Sequence, residues 1–316
     1  MPETRFVLAG LAALACGVAA WAYFAFPKTL SPEELAAVYQ TPLPPPDGPL
    51  SVFHLGHSLV GRDMPAMLAQ MAGHRHASQL GWGTPLKTHW EPDEPIQGFD
   101  VENAHDHYRD AKEALDSGEF DVFVLTEMVE IEAAIEYFDA PVYLEKWVSQ
   151  ARKGNPEIRV FLYESWHDLD DPQGWLTRLD TDPARYWEGV LLARAMAVGR
   201  EPQPIHVIPA GRVMAELVRR IEAGPGVDDV TSREDLFARM EDGSIDPIHI
   251  NDLGAYLVAL THYAVLYQRS PLGLPAQLDR ADGTPADAPG AELAKLMQQT
   301  VWDVVSGLPI TGIPQE

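Results

Sequence analysis

The stretch LSVFHLGHSL, residues 50–59, indicates the fold of this 316-residue chain. Its centre, Val52-Phe53-His54-Leu55, is apolar enough for a strand that is covered on both faces, and Gly56 then ends the run. Similar short runs recur along the chain, and small or polar residues close each of them. The predicted strands are residues 50–55, 78–82, 121–125, 159–163 and 205–208.

Longer stretches with helical spacing separate these strands. They cover residues 62–73, 103–117, 139–153, 184–199 and 211–223. This alternation predicts an α/β fold, a three-layer α/β/α sandwich around a five-stranded parallel sheet with right-handed crossovers. Functional groups of such sheets collect at the carboxyl ends of the strands, so the residues that follow each strand are the first candidates for a site.

Charge and cysteine content narrow the function classes. The chain has 23 Lys and Arg against 47 Asp and Glu, a formal net charge of -24. Such a charge argues against nucleic acid or an anionic membrane surface as a partner, because both are themselves negative. The single cysteine, Cys16, leaves no internal disulfide and no thiolate metal cluster in the folded part. No Walker loop or Gly-x-Gly-x-x-Gly follows a strand, which disfavours nucleotide chemistry.

The N-terminus carries an apolar run, FVLAGLAALACGVAAWAYFAF, over residues 6–26. It is long enough to cross a hydrocarbon layer of about 30 Å as a helix. A cleaved secretory signal is the alternative, but the run ends in aromatic residues and lacks a small-x-small cleavage site. We therefore expect residues 1–27 to be a signal anchor, a transmembrane helix that holds the domain on the periplasmic or extracellular side.

The rest of the chain divides by composition. Residues 28–49 are expected to form a proline-rich linker, because TPLPPPDGP at 41–49 suits neither a helix nor a strand. The main domain is then expected over residues 50–269. In the tail, 270–316, a loop rich in Pro, Gly, Ala and Asp precedes a helical pattern at 292–305, which is predicted to be a packing helix.

Two segments carry candidate catalytic groups, one at the end of the first strand and one on a short loop before a helix. Gly56-His57-Ser58 places a hydroxyl at the turn from the first strand into a helix, although a serine there is often only a helix cap. Asp246-Pro-Ile-His249 precedes a long apolar helix, and the carboxylate could orient the imidazole. Taken alone, Asp246 could be a cap and His249 a buried structural histidine. Together with the serine they make a complete hydrolytic set.

These segments resemble the SGNH hydrolases, also called the GDSL-like lipase/esterase superfamily, over residues 50–268. The turn at 56–58 is similar to the family's first block, and Asp246-x-x-His249 with the helix after it is similar to the last. The glycine of the second block is most similar to Gly83, with Gly81 as the alternative. The resemblance implies a flavodoxin-like sandwich.

The resemblance also implies the roles of the site residues. Ser58 would be the nucleophile, His249 the general base and Asp246 the group that orients the histidine. The backbone N–H groups of Ser58 and Gly83, aided by Thr126, would form the oxyanion hole. Such a mechanism needs no metal and no organic cofactor.

The chain departs from the family in the third block. Members usually carry Gly-x-Asn-Asp after the third strand, whereas this strand ends Val124-Leu125-Thr126-Glu127. The threonine hydroxyl could replace one hydrogen bond of the missing asparagine, but an ionised Glu127 would oppose a developing oxyanion. This departure predicts a slow, specialised or inactive member.

The expected substrate is an acyl ester, most simply an acetyl ester, on a carbohydrate. His57, Glu127, Trp166 and His167 are predicted to contact it, because aromatic side chains around a polar cleft suit sugar rings. The competing interpretation is that the tryptophans, including Trp175 and Trp187, only pack in the core.

Several other functions remain open. Acyl transfer to a sugar hydroxyl would use the same serine, and a membrane-tethered binding or scaffold protein would have lost the chemistry. The pairs His74-x-His76 and His105-x-His107 suggest metal ligands, but neither has a third ligand at a defined spacing, so solvated loops are favoured.

Overall fold

The computed structural model of the protein describes residues 28–91, 93–199 and 202–315. Its centre is a five-stranded parallel sheet in the order β2-β1-β3-β4-β5. The strands are β1 (Ser51–His57), β2 (Arg75–Gly81), β3 (Val122–Leu125), β4 (Arg159–Glu164) and β5 (His206–Pro209). The predicted sheet is confirmed, and all five strands overlap the segments that the sequence pattern indicates.

Helices cover both faces of the sheet, which confirms the three layers. The α-helices are Pro32–Val38, Asp63–Ala72, Leu86–Trp90, Phe99–Glu102, Ala111–Ser117, Ile131–Tyr137, Ala140–Gly154, Trp175–Asp182, Ala193–Ala195, Ala210–Glu222, Asp252–Tyr267 and Ala291–Ser306. A π-helix spans Pro183–Leu192, and short 3₁₀ turns span Arg233–Leu236 and Pro309–Thr311.

Each strand divides its side chains between two cores. Val52 joins the core beneath the helices Asp63–Ala72 and Asp252–Tyr267, whereas Phe53 and Leu55 join the core on the opposite face. This alternation follows from the two-residue period of a strand. Both faces of β1 are buried, so the end of the strand is fixed on both sides.

Two predicted helices begin elsewhere. The helix predicted at 103–117 starts only at Ala111, because Asp110 caps it and Asn103 is held by both backbone groups of Leu80 on β2. The helix predicted at 184–199 is preceded by Trp175–Asp182 and continues as a π-helix. Proline at 183 lacks the N–H that an α-helical ladder needs, which fits the change of helix type there.

The predicted linker is wrong in its first part. Pro32–Val38 is a helix with a capping box at Ser31, and Tyr39 after it is buried, with its hydroxyl donating to the carbonyl of Ile205 at 2.7 Å. The folded unit therefore begins before residue 50. Residues 41–49 contain neither helix nor strand, as expected from their prolines.

No helix among the described residues is both long and apolar enough to cross a membrane. The apolar run at 6–26 lies outside the described residues, so the anchor stays a prediction. At the other end of the chain, residues 270–289 contain no helix or extended strand, and Ala291–Ser306 packs through Leu293, Met297 and Val301. The predicted packing helix is confirmed.

A second, two-stranded sheet lies beside the main one. Strands β6 (Phe237–Arg239) and β7 (Ile245–Ile250) pair antiparallel, and β7 leads into the helix Asp252–Tyr267 through the cap residue Asn251. The sequence pattern predicts a loop for Asp246 and His249, but both lie on β7. They are therefore carried by a hairpin outside the parallel sheet.

Candidate active site

Ser58 follows directly after β1, and the packing of Gly56 fixes its position. A Cβ atom added at Gly56 would lie 2.5 Å from Cγ2 of Thr126, so a side chain at 56 would push the ends of β1 and β3 apart. The carbonyl of Gly56 accepts a hydrogen bond from Nε2 of buried His89 at 2.8 Å. The turn that presents the serine is thus held by contacts on two sides.

Ser58, His249 and Asp246 form a continuous chain of contacts. Oγ of Ser58 lies 3.0 Å from Nε2 of His249, although the two residues are 191 positions apart. Nδ1 of the same ring lies 2.9 Å from Oδ2 of Asp246. The ring is 46% exposed and its carboxylate partner is mostly covered, so the imidazole has one open side and one fixed side. The predicted triad residues are therefore brought together.

A bulge in β7 brings Asp246 and His249 to the same side. Phe237 pairs with Ile250 and Arg239 pairs with Ile245, so the two pairs enclose one residue on β6 but four, 246–249, on β7. The extra residues curl around the carboxylate of Asp246, whose Oδ1 accepts from the N–H groups of Ile248 and His249.

The electrostatics of Asp246 favour the ionised carboxylate. Partial burial raises the pKa of Asp246, but the backbone N–H groups of His249 and Ile248, together with the hydrogen bond and the charge of the His249 ring, lower it by more in total. The net pKa lies below the ordinary value. The group thus stays negative at neutral pH beside the ring of His249, as a carboxylate that orients an imidazole must.

The segment after β4 supports this hairpin from below. Nε1 of Trp166 donates to the carbonyl of Ile248 at 2.8 Å, and the N–H of Leu169 donates to the carbonyl of Pro247 at 2.8 Å. Trp166 is 1% exposed. The expectation that Trp166 contacts substrate is therefore wrong, because its indole is buried and hydrogen-bonded to the strand that carries His249.

His167 is also buried, against expectation. Its Nε2 lies 3.1 Å from Asp182, inside an ionic cluster in which Arg178 contacts Asp171, Asp182 and Glu130. Trp175 and Trp187 are buried as well. The interpretation of these tryptophans as core packing is confirmed, and the predicted role of His167 in substrate binding is wrong.

His57 has a structural role beneath the serine. Its Nε2 donates to the carbonyl of Glu127 at 2.8 Å, and its Nδ1 accepts from the N–H of Leu59 at 3.3 Å. Complete burial lowers the pKa of His57 to about 4, so the ring is neutral at pH 7. It ties the Ser58 turn to the end of β3, and the expectation that it touches substrate is wrong.

Thr126 and Glu127 at the end of β3 face away from solvent. The hydroxyl of Thr126 donates to the carbonyl of Tyr163 at 2.7 Å, which contradicts its expected role as an oxyanion donor. Oε1 of Glu127 accepts from the N–H groups of Leu86 and Met128. Glu127 is fully buried, so it does not contact substrate as expected, and it links β3 to the segment after β2 instead.

Burial also changes the protonation of Glu127. Desolvation raises the pKa of Glu127 to about 7, against the opposing effect of the N–H groups of Met128 and Leu86. A carboxyl group near this value is partly protonated at neutral pH. It opposes a nearby negative charge less than the ionised glutamate that the sequence suggests.

The space next to Ser58 is a cleft of about 620 Å³, named here the Ser58 cleft. Its lining residues are Ser58, Gly61, Trp82, Gly83, Glu102, Met128, Val129, Glu130, Asp168, Ile248 and His249. Gly83 lies there with a positive φ of 54° and open space where a Cβ would lie, whereas a Cβ at Gly81 would meet Thr84. Of the two candidate glycines of the second block, Gly83 is the one in the cleft.

Four lining residues with aromatic or acidic side chains were missed by sequence reasoning. Trp82 is 51% exposed, and Glu102, Glu130 and Asp168 bring three carboxylates to the cleft. A tryptophan between two glycines, at 81 and 83, was the available signal for an exposed ring. The carboxylates lie on three separate segments, and nothing in their local pattern distinguishes them from other surface acids.

The histidine pairs do not assemble into a metal centre within the described residues. The ring of His76 stacks on the ring of His107 with centroids 4.1 Å apart. No group of three or more His, Cys, Asp or Glu side chains in the described ranges has an arrangement that could hold a metal ion.

Comparisons with known proteins give only distant similarities. No family model and no curated protein matches the chain. Two solved structures are similar in part. One, salicylyl-acyltransferase SsfX3 from a tetracycline biosynthetic pathway, has 15% identity and a TM-score of 0.40, over 68% of this chain and 53% of its own.

The other is a carbohydrate esterase family 2 enzyme with a carbohydrate binding domain, from Corynascus thermopiles (Myceliophthora fergusii). It has 13% identity and a TM-score of 0.30, over 53% of this chain and 58% of its own. The similar regions thus span just over half the length of each of these two structures. At these scores neither enzyme assigns an activity to this chain.

Proposed function

We propose that the protein is a serine esterase of the SGNH type, which hydrolyses an acyl ester, most simply an acetyl ester, of a carbohydrate or a similar small alcohol. The observation that carries the proposal is the contact chain from Ser58 through His249 to Asp246. A hydroxyl, an imidazole and a carboxylate in this order, with the hydroxyl in a cleft, are what nucleophilic acyl chemistry requires.

The reaction would proceed in two halves. Oγ of Ser58 attacks the ester carbonyl while Nε2 of His249 takes the hydroxyl proton, and the proton then passes to the departing alcohol as the C–O bond breaks. In the second half, water loses a proton to His249 and attacks the acyl group on Ser58. The product acid leaves, and the proton returns to the serine. Asp246 keeps the ring in the tautomer that carries a proton on Nδ1.

The oxyanion would be stabilised by backbone donors. No group in the described part of the chain accepts a hydrogen bond from the N–H of Ser58 or Gly83, and both residues line the Ser58 cleft. The hydroxyl of Thr126 donates to the carbonyl of Tyr163, so it does not supply the third donor that the resemblance implies. Loss of one such donor typically costs about 10²–10³ in turnover, so we propose that the esterase is slow.

The exposure of the His249 ring favours hydrolysis over acyl transfer. Transfer requires that water be excluded from the acyl-enzyme, whereas the ring of His249 is 46% exposed beside an open cleft. A scaffold without chemistry is disfavoured because nothing in a scaffold requires a serine hydroxyl to contact an imidazole that a partly buried carboxylate orients. The ring of Trp82 offers a flat face for a sugar, in place of the buried tryptophans.

The proposal is tested with a fluorophosphonate probe and with 4-nitrophenyl acetate. We expect covalent labelling and ester hydrolysis in the parent protein, and loss of both in Ser58→Ala. Ser244→Ala is the matched control, because Ser244 is an exposed serine on the hairpin that carries His249, and its hydroxyl hydrogen-bonds only to Asp242 among the described residues. Labelling and turnover that persist in Ser58→Ala would rule the proposal out.

We also propose that residues 1–27 anchor the enzyme in a membrane, with the domain outside the cytoplasm. The support is the uncharged run at 6–26 and its aromatic end. Membrane fractionation tests this: the full chain is expected in the membrane fraction after a salt wash, and a variant without residues 1–27 is expected in the soluble fraction. Full-length protein that is soluble throughout contradicts the anchor.

A further inference from the structure

Trp82 forms a fixed aromatic surface in the Ser58 cleft. One face of its indole packs against the Cα of Gly98, where any added Cβ would meet the ring. Its Nε1 donates to Oε1 of Glu102 at 2.7 Å. Half of the side chain is nevertheless exposed, on a residue that lines the same cleft as Ser58 and His249. A large ring held on one face and open on the other is arranged for contact with a ligand.

The charge around this ring is negative. Glu102, Glu130 and Asp168 line the cleft, and none of its described lining residues is Lys or Arg. The negative charge of Glu130 is balanced by an ion pair with Arg178, which is buried and also contacts Asp171. Glu102 contacts only the neutral indole through its side chain, and Asp168 has no hydrogen-bond partner for its carboxylate within the described residues.

The environment of Asp168 shows that negative charge is in excess. Partial burial raises the pKa of Asp168, and the carboxylates of Asp170, Glu130, Asp171 and Asp246 raise it further. None of these influences comes from a Lys or Arg side chain. A positive group on a ligand would offset the negative charge, and an anionic ligand would add to the repulsion.

The geometry points to a cationic substrate: we infer that the alcohol half of the ester carries an ammonium group, which lies against the face of Trp82 between the carboxylates of Glu102 and Asp168. The inference rests on the proposed esterase function. Cations bind over the faces of aromatic rings, best of all over indole, and nearby carboxylates add to the attraction. An amino sugar is one alcohol of this class. A neutral sugar would use the ring but not the charges.

The test compares two esters of the same shape. Acetylcholine carries a quaternary nitrogen where 3,3-dimethylbutyl acetate has a carbon atom, so only the charge differs. We expect kcat/KM to favour the cationic ester by roughly tenfold at low ionic strength, mainly through KM. The preference should shrink as salt shortens the screening length from about 30 Å at 0.01 M to about 3 Å at 1 M.

Variants assign the effect to named residues. Glu102→Gln keeps an acceptor for Nε1 of Trp82 and removes only the charge, and Asp168→Asn removes the other free carboxylate. Together they should bring the ratio of the two kcat/KM values close to one. Trp82→Leu should lower the ratio while the salt dependence remains. Asp170→Asn is the control, since this exposed acid is two positions from Asp168 and does not line the cleft.

The outcomes separate the two proposals. If the neutral ester is hydrolysed as well as the cationic one, or better, the charge inference is overturned and the esterase stands. If Asp170→Asn lowers the ratio as much as Asp168→Asn, the effect is long-range and the assigned site is wrong. If neither ester is hydrolysed and Ser58 is not labelled by the fluorophosphonate, the esterase itself fails, and the inference fails with it.

Discussion

The carboxylate of Asp246 makes two hydrogen bonds to His249, one to its ring and one to its backbone. Oδ2 contacts Nδ1 of the ring at 2.9 Å, and Oδ1 accepts from the backbone N–H of the same residue at 2.9 Å. The ring and the peptide that carries it are therefore fixed by one side chain. This arrangement fits a histidine that must keep one tautomer and one direction while it moves protons.

Asp246→Asn should keep the shape of the hairpin and lose the chemistry. The amide can still accept from the backbone, but it presents no charge to the ring and favours the wrong tautomer, which typically costs about 10²–10⁴ in kcat. Asp242→Asn removes the same charge from the same hairpin and should leave hydrolysis of 4-nitrophenyl acetate within twofold. An Asp246→Asn enzyme within tenfold of the parent would contradict the role.

Gly56 and Thr126 should show coupled stability. Gly56→Ala places a methyl 2.5 Å from Cγ2 of Thr126 and should lower the free energy of unfolding by about 1–3 kcal/mol. Thr126→Ser removes that Cγ2 and keeps the hydroxyl that bonds to Tyr163. The double variant should therefore recover part of the loss in urea unfolding. Strictly additive losses would show that the close contact is not the cause.

The sheet was predictable because its strands are local patterns. An unbroken apolar run such as VFVL in β3 has one stable place, a strand covered on both faces, and the residues after it then lie at a known edge. Ser58 was found for this reason, whereas Asp246 and His249 were found from their spacing directly before a long apolar helix. A hydroxyl, a carboxylate and an imidazole that occur together also have few roles other than catalysis.

The substrate-contacting residues were not predictable in this way. Trp166 and His167 follow β4, where exposed groups are expected, but β7 and the cluster around Arg178 cover them. That cover comes from segments far away in the sequence. The same holds for Glu127, whose burial depends on the backbone of Leu86. Local pattern places a residue at the edge of the sheet, and long-range packing decides whether it meets solvent.

Glu127→Gln should change how stability depends on pH. The folded pKa is about 7 and the ordinary value is 4.5, so the folded protein retains a proton that the unfolded chain has released over this interval. The contribution of Glu127 is fully present below pH 4.5 and is lost as pH rises through 7. The amide does not ionise, so it has no such loss. The free energy of unfolding of Glu127→Gln should therefore rise relative to that of the parent by up to about 3 kcal/mol between pH 4.5 and 8.

The measurement is urea unfolding at several pH values in that range. Leu125→Val is the control, because Leu125 is fully buried on β3 and binds no proton. Its difference from the parent should stay constant with pH. A Glu127→Gln difference that is equally flat would mean that Glu127 is ionised in the fold throughout.

Buried histidines should make the protein sensitive to acid. Burial lowers the pKa of His57, His74, His89, His206 and His262 to about 4 and that of His54 well below its ordinary value. Their contribution is present above pH 6.5 and is lost as pH falls towards 4, because the unfolded chain binds protons that the fold excludes. Several histidines outweigh the opposite trend of the single Glu127. The free energy of unfolding should therefore fall steeply below pH 6.5.

His54→Leu tests this with one residue. Neither ring nitrogen of His54 has a hydrogen-bond partner within the described residues, so replacement by an apolar side chain removes no bond. The slope of the free energy of unfolding against pH between 6.5 and 4 gives the number of protons taken up on unfolding. This number should decrease by up to about one. Leu80→Val, a change at a fully buried residue that binds no proton, should leave the slope unchanged. An unaltered slope in His54→Leu would contradict burial as the cause.

Trp166 is predicted to position His249 through the backbone of Ile248. Trp166→Phe keeps most of the buried ring and removes the donor to that carbonyl, a change that costs about 1–2 kcal/mol of stability. Trp175→Phe is the matched control, because its Nε1 also donates from a buried site, to the carbonyl of His167 at 3.0 Å. Both variants should lose similar stability in urea unfolding. Only Trp166→Phe should lower kcat for 4-nitrophenyl acetate, by about tenfold with KM little changed, since a misplaced ring weakens proton transfer more than binding. Equal losses of kcat in the two variants would show that Trp166 supports the fold alone.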